Sequence, residues 1–250
     1  MKYRTRPATG APTGRQRGFT LVELMVTVAI AMFLLFGLVT IVQNVRATYA
    51  NQSLLAQLQD GQRLALIMMT DVIQGAGYFP NPVANTAADL VAAGPFAAGQ
   101  AVFGTHNAAA PGDTLAVRYL TASGDGVLNC HGTSNTTGAN ALYTNTFSVN
   151  AQNQLVCDPG DGTGPLALVS GVTNLQVLYG VKRNFAVPGN DVDTYLTADL
   201  MLAADWTNLT SVTITLTFVN PLAGKTTLVR QPPTVTFTRV VDIMSRTGTT

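Results

Sequence analysis

No proline interrupts this chain from Phe19 to Gln74, and the first part of that stretch, Phe19 to Val42, is apolar apart from Thr20, Glu23, Thr27, Gly37 and Thr40. Its 24 residues rise ~1.5 Å each in a helix, enough to cross the ~30 Å hydrocarbon core of a bilayer. The stretch therefore predicts a membrane-spanning helix. A secretory signal peptide has a shorter apolar region and a small-residue cleavage site at its far end, whereas here the glycine, Gly18, stands at the near end. Lys2, Arg4, Arg6, Arg15 and Arg17 precede the span with no acid among them, and only Arg46 follows closely. Cationic flanks stay in the cytoplasm, so the large C-terminal part is expected on the other side.

Glu23 is the single glutamate of the chain, and it lies inside that apolar run. An ionised carboxylate in hydrocarbon is costly, so an acid placed there predicts a functional site with a partner. The bland alternative is a plain membrane anchor with a stray acid. The string Arg17-Gly-Phe-Thr-Leu-Val-Glu-Leu-Met-Val26 resembles the class III leader signal of type IV pilins and type II secretion pseudopilins. That resemblance implies cleavage between Gly18 and Phe19 by prepilin peptidase, methylation of the new amino terminus at Phe19, and a fifth mature residue, Glu23. Its carboxylate would neutralise the Phe19 amino group of its own or a neighbouring subunit as helices pack side by side. Relatives often carry a helix-kinking proline where Thr40 stands, so a straighter membrane helix is expected.

Past Val42 the pattern turns from all-round apolar to one-sided. Leu54, Leu58, Gly61, Ala65, Met68 and Val72 recur in steps of three and four, and Leu55, Gln62, Leu66, Met69 and Ile73 broaden the stripe, as in an amphipathic helix laid on a core. Gly61 and Ala65 mark a close approach of that core, with a local kink as the alternative for a glycine that costs about 1 kcal/mol in a helix interior. Gln74-Gly75-Ala76-Gly77, then Pro80 and Pro82, end the helix. The expected organisation is a leader over 1–18, a membrane half of the helix over 19–42, an amphipathic half over 43–74 and a head over 75–250. Asn81 to Pro111, rich in Ala, Gly and Pro, reads as a long loop. Strand signals follow at 115–120, 142–149, 154–157, 172–181, 212–219 and 235–241. In Val212 to Phe218 the alternation of Val, Ile, Leu and Phe with three threonines predicts a sheet with one dry face. The helix stripe is its obvious cover, which gives an α+β fold: an antiparallel sheet on a long N-terminal helix.

The string Leu64 to Phe79, with Asp71 and the ending Gly75-Ala-Gly-Tyr-Phe79, resembles minor pilins of the PilW family. So do Asp113-Thr-Leu-Ala-Val-Arg-Tyr119, Asp125-Gly126 ahead of Cys130, Leu168 to Tyr179, Tyr195-Leu-Thr-Ala198, Trp206 and Thr210 to Phe218. The resemblance implies a type IV pilin-like fold and a minor subunit of a type IV pilus, held in the inner membrane with a periplasmic head and then extracted into the filament. The large head suits a place near the tip or in an initiating complex. Implied partners are other minor pilins, the major pilin, prepilin peptidase and the inner-membrane assembly platform, with twitching motility, adhesion or DNA uptake as downstream roles. A type II secretion pseudopilin is the nearest alternative, and a membrane-anchored periplasmic ligand-binding or hydrolytic domain the next. Relatives often have an Asp/Gly-rich loop before Tyr195; here only Asp191 and Asp193 offer carboxylates, fewer than the oxygens Ca²⁺ requires, and a structural loop is expected.

Composition fits an exported structural protein. Charged residues are 11% of the chain against ~25% in typical globular proteins. Without the leader's five basic residues the net charge is about −4, so no basic stripe suggests direct nucleic-acid binding. Cys130 and Cys157 are an even count in a compartment that permits disulfides. A bridge would close a 28-residue loop and contribute roughly 3–4 kcal/mol. Two free buried thiols are the alternative, and a zinc site from Cys130, His131, Cys157 and His106 lacks any ligand spacing in its favour. His106 and His131 are the only imidazoles, and no nucleophile elbow, Walker loop or zinc-protease helix occurs. No catalytic residue, metal or cofactor is expected. Asn135-Thr-Thr137 and Asn208-Leu-Thr210 match a glycosylation sequon that is common by chance.

Overall fold

The computed structural model describes residues 18–81, 83–86, 89–186, 188–189, 191–224 and 231–246. Residues 1–17, most of the expected leader, and Pro82 lie outside the described residues. Two compact units divide after Ala50, and one uninterrupted helix, α1 (Leu21–Gln74), contributes to both.

In the first unit every α1 residue is exposed except Gly37, which is half-buried. Phe19, just ahead of the helix, is 78% exposed. The helix is long and apolar enough to cross a membrane. Two of its threonines are satisfied locally. Thr27 donates its hydroxyl to the Leu24 carbonyl at 2.9 Å and Thr40 to that of Gly37 at 2.7 Å, which removes the main cost of a hydroxyl in hydrocarbon. The helix continues through Thr40 without a break, in line with the absence of proline there.

In the second unit the remainder of α1 carries the expected stripe. Leu54, Leu58 and Gly61 are half-buried, and Ala65, Leu66, Met69, Val72 and Ile73 are buried. Met68 is only half-buried and Leu55 is exposed, so the buried arc is rotated toward Leu66, Met69 and Ile73. A Cβ on Gly61 would stand 3.2 Å from a Val169 methyl. Close approach, without a kink, is the reason for a glycine there.

Among the described residues the head has nine strands in two antiparallel sheets. One is a meander of β1 (Val102–Thr105), β2 (Thr114–Thr121), β3 (Ala141–Val149), β4 (Gln154–Asp158) and β5 (Leu166–Ser170), in that spatial order. The other contains β6 (Val172–Val181), β7 (Thr194–Leu196), β8 (Leu209–Val219) and β9 (Thr234–Asp242), in the order β7-β6-β8-β9. The chain passes between sheets at Gly171, whose φ of +83° suits glycine. One core joins α1 to both, with Phe147, Leu155, Leu175, Tyr179, Ile214 and Phe218 at its centre. In β8 the alternation is as expected: Val212, Ile214, Leu216 and Phe218 are buried and the threonines between them half-buried.

Two expectations are corrected. The segment from Asn81 to Pro111 is not loop throughout, since it contains β1, paired with β2. The single sheet is in fact two, with β5 and β7 added. Strands this short carry too few residues for periodicity to separate them from loop.

Asp113 fastens the sheets together. It is 2% exposed. One carboxylate oxygen accepts the Asn107 N–H at 2.8 Å and contacts His106 Nδ1 at 2.9 Å, while the other accepts the Val177 N–H of β6 at 2.7 Å. The Asp113 N–H donates to the Leu175 carbonyl at 2.7 Å. Beside it, a Cβ on Gly112 would lie 2.1 Å from the Leu175 carbonyl oxygen at a φ of +94°. Only glycine lets the strands come this close. Asp113→Ala strands a buried backbone N–H of β6, and is expected to destabilise the head by about 2–3 kcal/mol. Denaturant unfolding followed by Trp206 fluorescence measures this, and a loss under 0.5 kcal/mol (about what an ordinary surface substitution costs) would contradict the fastening role.

Candidate functional site

At the N-terminal end Gly18, Phe19 and Thr20 are exposed and non-helical. Thr20 caps α1: its hydroxyl oxygen accepts the Glu23 N–H at 3.3 Å, and its carbonyl accepts from Leu24 at 3.2 Å. Thr20-Leu-Val-Glu23 has the spacing of a capping box, a helix-start signal legible in the sequence itself. Glu23 sits in the first turn, where the positive end of the helix dipole favours a carboxylate. Its side chain is exposed and has no hydrogen bond or ion pair with the described residues. Whereas Thr27 and Thr40 bond to their own helix, the Glu23 carboxylate leaves its charge available to another group.

In the head, Cys130 and Cys157 form a disulfide with a Cα–Cα distance of 6.3 Å. It ties the connection between β2 and β3 to β4. Neighbouring bonds fix that connection further. The Cys130 N–H donates to Asn145 Oδ1 at 2.8 Å, His131 Nε2 lies 2.9 Å from the Cys157 carbonyl oxygen, and the Tyr119 hydroxyl donates to the Leu128 carbonyl at 2.6 Å. Burial pushes the Tyr119 phenol up to about 12. With both sulfurs joined and His106 on Asp113, the zinc arrangement has no thiolates to offer. Asn135, at 1% exposure, donates to the carbonyls of Thr121 and Ala139, so this sequon asparagine is a turn anchor.

Arg118, in sequence one member of the string Asp113 to Tyr119, has a definite task in the fold. β2 is buried on both faces: Leu115, Val117 and Tyr119 enter the main core, while Ala116 and Leu120 are buried on the other face with Arg118, which reaches the segment from Leu90 to Gln100. The guanidinium, 0% exposed, donates to the carbonyls of Gln100 at 2.5 Å, Val91 at 2.6 Å, Ala97 at 2.7 Å and Leu90 at 3.2 Å. It also lies 4.6 Å from the centre of the Phe96 ring, a cation–π distance. Burial lowers its pKa from the ordinary value. No carboxylate is among these partners; backbone carbonyls carry the whole task of solvating the charge.

The loop after β6 is held in a similar way. Arg183 makes a two-pronged pair with Asp205, Nε to Oδ1 at 3.1 Å and an amino nitrogen to Oδ2 at 2.5 Å. That pairing holds the Asp205 carboxyl below the usual carboxylate range. Asp193 accepts the backbone N–H groups of Asn184 at 2.6 Å and Arg183 at 3.0 Å and the Thr194 hydroxyl at 2.7 Å. Its pKa is lowered, the Asn184 bond being the largest cause. Asp193 is thus engaged in shaping the loop, and among the described residues no group of three potential ligands gathers around a cation position.

The family model described as Type IV Pilus-assembly protein W matches residues 132–240, and that of the Prokaryotic N-terminal methylation motif matches residues 13–39. The first spans β3 to most of β9, the second the residues just ahead of α1 and α1 as far as Val39. No curated protein matches the chain.

Proposed function

We propose that this chain, a member of the PilW family of type IV pilus-assembly proteins with a prokaryotic N-terminal methylation motif, is a minor pilin that is cut between Gly18 and Phe19, methylated on Phe19 and packed into a filament through α1. The observation that carries the reading is a carboxylate, Glu23, that has no partner among the described residues, at the start of a long apolar helix in which Thr27 and Thr40 bond to their own backbone. Before assembly the apolar half of α1 spans the inner membrane, its basic leader in the cytoplasm and its head in the periplasm. In the filament the helices bury that surface on one another, at roughly 25 cal/mol per Å². An unpaired charge inside the bundle is costly, so Glu23 and the Phe19 amine set the axial register. The head, stapled and loop-rich, then serves as a structural module near the tip rather than as an enzyme. Its partners are other minor pilins, the major pilin, prepilin peptidase and the inner-membrane assembly platform. The PilW match over the head favours a pilus over a secretion piston.

The test is processing. Gly18→Val is expected to leave only full-length precursor in the inner membrane, while the native chain yields a product whose first residue is methylated Phe19. Intact-mass measurement and N-terminal sequencing of membrane and filament fractions decide it. A mature chain beginning elsewhere than Phe19, or unchanged maturation of the variant, overturns the reading.

A further inference from the structure

Of the strands that end the two sheets, β1, β5 and β7 have only four, five and three residues, and the register of β5 with β4 is broken between Leu155 and Val156. Shortness and broken register keep an edge from recruiting a further strand. The fourth edge, β9, is different. It runs nine residues in unbroken register with β8, and Thr234 to Asp242 contains neither proline nor lysine.

The bonding phase of β9 follows from the contacts just beyond its two ends. The Asn220 N–H donates to the Pro233 carbonyl at 2.8 Å and the Ile243 N–H to the Thr210 carbonyl at 2.9 Å. Bonded pairs alternate along an antiparallel ladder, so Val235, Phe237, Arg239 and Val241 are the residues that bond to β8. The N–H and C=O groups of Thr234, Thr236, Thr238, Val240 and Asp242 therefore point away from it. They make no hydrogen bond with the described residues, and all five residues are exposed. Donors and acceptors in that alternation match an extended backbone and no compact ligand.

Arg239 selects among extended backbones. Its cross-strand partner is the buried Ile214, and on the same side of β9 stand the buried Val241 and Phe237, whose ring lies 5.8 Å from that of Phe218. The guanidinium is thus at the margin of the apolar side of the sheet, exposed and without a hydrogen bond or ion pair to the described residues. A strand added to β9 would place one residue opposite Arg239 in a non-hydrogen-bonded pair, where side chains come closest. A carboxylate is favoured there, and an apolar or cationic residue is rejected. We propose that the free edge of β9 is a recognition site for an extended segment of a partner protein, which adds as an antiparallel strand with an acidic residue opposite Arg239 and apolar residues opposite Phe237 and Val241. A second copy of this chain is the poorer occupant, since its own β9 offers no carboxylate on that side. The edge lies wholly in the head and does not depend on Glu23.

The test uses the full chain in lipid nanodiscs and the peptide Lys-Val-Thr-Glu-Thr-Val-Thr-Val-Thr, labelled with fluorescein at its amino terminus. Fluorescence anisotropy reads affinity, and hydrogen–deuterium exchange locates the site. A Kd on the order of 100 µM is expected, with slowed exchange confined to fragments covering 234–242. Replacing the peptide's glutamate by lysine should weaken binding at least about fivefold. N-methylation of its threonines, whose N–H groups would face β9, should abolish binding while keeping every side chain. Arg239→Glu should reverse the preference in favour of the lysine peptide. Thr238→Pro removes one outward donor and leaves the ladder to β8 intact, and should weaken binding at least about threefold. Trp206 fluorescence checks that both variants are folded, and the peptide series on the native chain does not depend on them. Glu23→Ala should leave peptide binding unchanged even where filament entry fails, so the edge and the assembly reading stand or fall separately. No binding, equal binding of the lysine peptide, retained binding of the N-methylated one, or unchanged exchange over 234–242 overturns the site. A two-chain mass with slowed exchange over 234–242 in the absence of peptide gives the edge to a second copy and overturns its assignment to a foreign strand.

Discussion

Replacing Arg118 by methionine is expected to destabilise the head by about 3–5 kcal/mol. The substitution keeps most of the apolar stem but withdraws the donors from four backbone carbonyls at once, those of Leu90, Val91, Ala97 and Gln100. It also removes the cation beside Phe96. Each carbonyl left dry costs ~1–3 kcal/mol, and opening the segment to water limits the sum. Against a total stability of roughly 5–15 kcal/mol for a domain, that is a severe loss. Arg118→Lys, with three donors on a point charge instead of a planar fork, should fall between. Urea unfolding followed by fluorescence of Trp206, which packs on Phe103 and Tyr179, measures all three proteins. A methionine variant within 1 kcal/mol of the native chain would show that the 90–100 segment stays in place without the guanidinium.

Glu23→Ala is expected to leave cleavage and methylation intact and to lower the amount of this subunit in sheared filaments by a factor of about 100 or more. The variant leaves the Phe19 amine unpaired in an apolar bundle, a penalty of ~3 kcal/mol or more, and each 1.4 kcal/mol is a factor of ten. Glu23→Gln separates two roles for the carboxylate. A glutamine can replace glutamate in a capping box with Thr20 but cannot neutralise an amine. Exclusion of both variants supports the ion pair, whereas normal entry of the glutamine variant assigns Glu23 to helix capping. Quantitative blotting of filament and membrane fractions reads the outcome.

Local chemistry explains how much could be read from the chain alone. The α1 stripe and six of the strands follow from spacing, because 3.6- and 2-residue periods leave their mark wherever one face is dry. β8 shows this residue by residue. The brief strands β1, β5 and β7 fall below that threshold. Their identity depends on neighbours: β1 forms because β2 offers an edge, and β5 because the chain must reach Gly171 before entering the second sheet. Arg118 is the sharpest case. Within Thr114 to Thr121 it occupies the face where a half-exposed strand would place a wetted cation, and nothing in its neighbours announces the carbonyl-lined segment that covers it. The partners of Asp113 and Arg183 were likewise unreadable, since one lies between separate sheets and the other 22 residues away.

The chain by itself determined the long apolar helix and the lone acid at its start, because transfer of charge and apolar surface from water depends on composition over a single continuous segment. Only the tertiary structure decided whether the two sulfurs meet, which arginine is buried and what covers it. Those are properties of distances between segments remote in sequence, and no local pattern encodes them.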